Sequence, residues 1–138
     1  MDMMNQLMKQ TNQVNVGGVD YNIGQVSAIE QLKLLNEFGS KLVFIGDKIK
    51  QEIKIDIDVL VGCIIVLEEN ELQSLQNLLV YKIFKNGDSK NIDISNFQGN
   101  ILNFVKLIAE AIKFNLSDFL DYLDNTKTTE SKETSQVM

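Results

Sequence analysis

Val14-Asn15-Val16-Gly17-Gly18-Val19-Asp20-Tyr21-Asn22-Ile23 alternates apolar and polar residues on both sides of a glycine pair. Alternation with period two puts one set of side chains on each face of a strand. Two adjacent glycines accept the positive φ of a tight turn, so the stretch predicts a β-hairpin. Immediately after it, Ser27-Ala28-Ile29-Glu30 has the spacing of a capping box, in which Ser27 and Glu30 satisfy amides at a helix start. Ile29, Leu32, Leu35 (with Leu34) and Phe38 then recur at helical spacing. Gly39 and Gly46 mark an end or a kink of this helix.

From Ile49 to Leu67 two periods compete. Ile53, Ile55, Ile57, Val59 and Val61 sit at period two, whereas Leu60, Val61, Ile64, Ile65 and Leu67 fit a buried helix. The expectation is a loop or short extended piece, then a helix from about Asp56. A further helix is expected over Asn70 to Lys85, with Leu72, Leu75, Leu79 and Ile83 along one face and Gly87 as a left-handed cap. A polar link carrying Ile92 and Ile94 leads to a helix from Gly99 to Phe114, with Ile101, Phe104, Val105, Ile108 and Ile112 on one side. Asn115-Leu116-Ser117-Asp118 opens a last short helix ending near Leu123. The fold class is therefore mainly α with a small N-terminal β-hairpin (α+β), four to five helices in one compact domain. That domain is expected over residues 13–124, between a flexible Met-rich segment (1–12) and a disordered polar tail (125–138).

The chain has 138 residues, which accommodates one hydrophobic core. It contains no His, Trp or Pro, and every one of its basic residues is Lys. Without His it lacks the commonest general base and zinc ligand; without Arg it lacks the fork that reads phosphates and guanine edges. A net charge of −6 adds repulsion from nucleic acid and anionic membranes. Lys in place of Arg can also follow from an AT-rich genome. Together these features argue against nucleic acid and membrane as partners. The longest apolar run, Val59 to Leu67, is about half a membrane span. The start, Met-Asp, shows no basic cluster or apolar run of a secretory signal.

No group of residues builds a catalytic site. Cys63 sits in Val61-Gly62-Cys63-Ile64-Ile65 with no base or cation nearby, and reads as a small buried hydrophobe. Asp56/Asp58, Glu68/Glu69/Glu71 and Asp118/Asp121/Asp124 lack calcium-loop spacing. Glu68 to Glu71, and likewise Asp118 and Asp121, fall at helix starts, where the macrodipole favours negative charge. Gly17-Gly18 is followed by neither Lys-Ser/Thr nor a helix, so it is no phosphate loop. The chain is expected to be no enzyme and to use no catalytic residue, metal or cofactor. Binding finds more support: Met3, Met4, Leu7 and Met8 fall three and four apart, so a helical turn there presents a soft apolar face.

The opening Val14 to Gly24, followed by Ala28-Ile29-Glu30-Gln31-Leu32, resembles that of a family of phage tail assembly chaperones. These proteins begin with a short hairpin running into a helix that carries a Gln-Leu-like pair. Ile92-Asp93-Ile94, Leu102 to Ile112 and Asn115-Leu116-Ser117-Asp118-Phe119 resemble the same family's closing segment. Members tend to have a basic residue and a proline where this chain has Asn36-Glu37-Phe38-Gly39-Ser40. The resemblance implies a helper outside the virion, acting in the host cell cytoplasm. It would bind apolar helical segments of the tape measure protein and keep that protein soluble until the tail tube assembles. Tail tube protein and self-association are the further partners considered. Expected client contacts are Met3, Met4, Leu7, Met8, Leu34 and Phe38, the last two as first-helix residues not needed for the core. A small structural virion protein of tail or neck, or an inhibitor of a host protein, stands as the alternative.

Overall fold

The computed structural model describes residues 11–49 and 55–123. Strands β1 (Thr11–Val16) and β2 (Val19–Gly24) form the expected hairpin, in unbroken antiparallel register from Val16 opposite Val19 to Thr11 opposite Gly24. Gly17 and Gly18 both take positive φ, 61° and 83°, as a two-residue turn between twisted strands demands. A side chain on Gly17 would also run into the Asn103 amide, so the turn is pressed against the body of the domain. β1 begins at Thr11, which makes Thr11 and Asn12 strand residues rather than part of the N-terminal segment.

Helix α1 (Ala28–Ile49) starts at the expected cap: Glu30 N donates to Ser27 Oγ at 3.2 Å, and Ser27 N to Glu30 Oε1 at 3.3 Å. It ends at neither of the two glycines. Gly39 instead forms a notch, with the Phe119 ring 3.5 Å from where a Cβ would stand. α2 (Ile57–Ile65) follows, capped by Asp56, whose Oδ1 accepts from Val59 N at 3.2 Å. The competition between periods is thus settled as helix from Ile57 onward, with Ile55 buried just before it.

The helix expected over Asn70 to Lys85 is shorter than its apolar spacing suggests. α3 runs only over Glu69–Leu79, gives way to a 3₁₀ turn at Val80–Lys82, and is followed by a third strand, β3 (Ile83–Lys85). β3 pairs antiparallel with β2, placing Ile83 opposite Ile23, so the hairpin becomes a three-stranded sheet in the order β1-β2-β3. Ile83 satisfies a helical stripe and a strand equally well. The open edge of β2 decides between them by offering backbone partners to a β-branched and aromatic run. A second 3₁₀ turn (Ile94–Phe97) leads through Gly99, at φ 86°, into α4 (Ile101–Asn115). A last helix covers residues 117–123.

α4 is the centre of the domain. β1, β2 and the 3₁₀ turn at Ile94–Phe97 pack against it, as do α2 and α3. Phe104, Leu107, Ile108, Ala109, Ala111 and Ile112 are all buried. Phe97 stands between sheet and helix, its ring 6.2 Å from Tyr21 and 5.4 Å from Phe104, spacings at which tilted aromatic pairs attract.

The one buried polar side chain among the described residues, Asn115, fastens the joint between β2 and α1. Its Oδ1 accepts from Val26 N at 2.9 Å and from Gln31 Nε2 at 3.2 Å. Its Nδ2 donates to the carbonyls of Ala111 at 2.9 Å and Gly24 at 3.4 Å. Two donors and two acceptors fill the capacity of the amide. Removing it leaves the Val26 N–H without a protein partner in a dry interior, a cost of about 1–3 kcal/mol per orphaned group. Asn115→Ala should therefore lower stability by about 2–3 kcal/mol, read as a lower urea midpoint at unchanged slope.

Candidate functional site

The described residues present no catalytic or metal-binding arrangement. Cys63 is buried, with its thiol pushed up by desolvation, and among the described residues no cluster of acidic or Cys side chains could hold a metal ion. An open cleft of about 650 Å³ runs beside the hairpin turn, lined by Asn91, Asn96, Asn100 and Asn103 together with Lys85, Lys90, Asp88 and Asp93. Val16, Val19, Tyr21, Ile92 and Phe97 also line it, so the cleft mixes amide, charged and apolar side chains.

Apolar surface is the more informative feature. α1 buries Leu34, Phe38 and Leu42, spaced four apart, with Leu35 packed at the margin. Ile29 and Leu32 remain 69% and 65% exposed, and Val43 is exposed further along. At about 100° per residue, Ile29 and Leu32 lie well round the helix from the 34-38-42 line, so the core cannot reach them. Leu34 and Phe38, expected as residues not needed for the core, belong to the core, and the first helix leaves over Ile29 and Leu32. The spacing 29-32-35-38 is a valid helical stripe but not the one the fold selects. Leu42 and the alternative member Leu34 were the signal for the true face. Met3, Met4, Leu7 and Met8 lie outside the described residues.

Polar contacts hold this face in place. Tyr81 Oη donates to Glu30 Oε1 at 2.6 Å, tying the turn after α3 to the first turn of α1. That bond, with a second from Ser27 Oγ, holds the Glu30 carboxyl below its ordinary value, while the Tyr81 hydroxyl is pushed up to about 12 by donating to Glu30. Further along, Ser74 Oγ donates to Glu37 Oε2 at 2.6 Å, and Lys41 Nζ lies 3.5 Å from Glu71 Oε2. α1 is thereby braced along α3, with its apolar outer residues facing away from the core.

Gln31 and Asn115, from the two ends of the chain's recognisable segments, meet in a hydrogen bond, and Phe119 fills the Gly39 notch. Asn115 was read from sequence only as the opening of a helix; its isolated position among apolar residues of α4 was the available sign of a buried polar contact.

The chain is thus a small α+β domain built round one central helix, with apolar side chains left exposed on an outer helix face. A family model described as phage tail assembly chaperone protein, TAC, matches residues 17–127, and the chain belongs to this family. Its role is that of a chaperone in phage tail assembly, with a protein partner in that process. No curated protein and no solved structure matches the chain.

Two sets of measurements check this surface. Leu34→Ala and Phe38→Ala should each lose about 2–5 kcal/mol of stability, and Leu32→Ala no more than about 0.5 kcal/mol. Tyr81→Phe should raise the Glu30 titration, followed by carboxyl NMR, toward the ordinary carboxylate value. Because the folded Glu30 value is depressed, its contribution to stability is complete above the unfolded value. It disappears as pH falls through the folded one, and the variant should lose the corresponding acid-side slope.

Proposed function

We propose that this chaperone covers apolar helical segments of the tape measure protein and keeps that client soluble until the tail tube assembles. Family membership and the exposed pair Ile29 and Leu32 on a braced helix support this reading. A client rich in apolar helical stretches aggregates unless those stretches are covered. Leftover apolar side chains on the outer face of α1 supply the cover, and the net charge of −6 keeps the complex dispersed. Met3, Met4, Leu7 and Met8 add a second, adaptable contact, since thioether side chains conform to varied partners. Several copies on one client multiply modest individual affinities, and arriving tail tube protein displaces them one at a time. The chaperone works in the host cell cytoplasm and stays out of the finished virion.

Co-expression with the tape measure protein tests the reading. The wild type should hold the client in the soluble fraction. The Ile29→Asp, Leu32→Asp double variant should release much of it to the pellet while melting at the wild-type temperature. A client equally soluble without the chaperone overturns the proposal, as does finding the chaperone by mass spectrometry as a stoichiometric part of purified virions.

A further inference from the structure

β1 is an edge strand, and among the described residues no strand lies beyond it. The backbone shows which of its groups face outward. Asp20 turns its carbonyl toward β3, where it accepts from Asn86 N at 2.9 Å. Asn15 and Gln13, opposite Asp20 and Asn22, therefore direct their own N–H and C=O groups away from β2, because such pairs alternate along an antiparallel ladder. Exposed edges are ordinarily blunted by a lysine, a proline, a bulge or an inward charge. β1 has none of these. Its register with β2 is unbroken, and Gln10 to Val19 carries no ionisable side chain in a chain of net charge −6. This neutral strand is where two copies can approach without like charges meeting.

We infer that β1 pairs antiparallel with β1 of a second copy, across a two-fold axis that passes through Val14. In that register Gln13 of each copy sits opposite Asn15 of the other, exchanging the outward backbone bonds, and the two Val14 side chains meet. Val14 shares the core-facing side with its partner Tyr21, yet it is only half-buried where Tyr21 is buried. The second Val14 completes its cover. On the opposite, solvated face Asn15 Nδ2 donates to Asp20 Oδ1 of its own chain at 2.9 Å, which leaves the Asn15 Oδ1 to accept from the Gln13 amide across the junction. A two-fold contact must be self-complementary, and Gln-Val-Asn read against itself is. The two sheets join into one of six strands. Neither Ile29 nor Leu32 takes part, so this contact and client binding are separable.

Sedimentation equilibrium of the full-length chain over micromolar concentrations tests the pairing. The wild type should approach twice the 15.6 kDa chain mass. Asn15→Lys combined with Gln13→Lys sets like charges opposite each other at both ends of the register and should halve that mass. Asn15→Lys combined with Gln13→Glu sets opposite charges there and should keep the dimer, while circular dichroism stays that of the wild type in both. In the wild type, amide exchange at Gln13 and Asn15 should slow as concentration rises. A wild type that stays monomeric throughout overturns the inference, the edge then being covered by other residues of the chain or left for a client. A dimer that survives the two lysines, or one lost equally in the Lys/Glu variant, overturns it too.

Discussion

The whole domain is arranged around the need to cover α4. An ordinary surface helix buries one stripe, but here Phe104, Leu107, Ile108, Ala109, Ala111 and Ile112 are all removed from water. Ala109 and Ala111 have no residual exposure, which requires neighbouring elements to approach closely on more than one side. The sheet and α2 meet that requirement, and the Phe97 ring links the sheet to the helix. α1 joins this assembly through fewer attachments: the core line Leu34-Phe38-Leu42, the Asn115 amide and the Gly39 notch. A helix held along one line leaves the rest of its circumference to water or to a partner.

Local chemistry was the legible part. The glycine pair between alternating residues, the Ser27–Glu30 cap, the Asp56 helix start and the helix over 101–115 all follow from rules that act within a few residues, and each is present. Choices made by tertiary contact were not legible. Ile83 fits two periods, and only the edge of β2, some sixty residues earlier in sequence, makes it a strand residue. Likewise α1 carries two overlapping apolar stripes. Spacing alone ranks 29-32-35-38 with 34-38-42, and only tertiary packing decides between them. Asn115 gave no sequence clue to its partners because Val26 and Gln31 lie 89 and 84 residues away.

The same division explains why a residue list for binding is harder to read than the family. The recognisable segments turn out to be structural fasteners: Gln31 on Asn115, Phe119 on Gly39, the hairpin turn against Asn103. They identify the fold because each joins elements far apart in sequence. Ile29 and Leu32 fasten nothing within the chain, so no internal rule marks them, and they become visible only as what the core leaves uncovered.

Asn115 also sets a schedule. The hairpin and the first helix emerge from the ribosome long before this residue is polymerised, since its bonds reach back 84 to 91 positions. Until it arrives, the loop-closing step that locks them cannot occur, and contacts this distant in sequence form slowly. Ile23 meanwhile lacks the cover of α4, on which its strand packs. For most of its own translation, a tail assembly chaperone is a nascent chain with greasy faces in want of shelter.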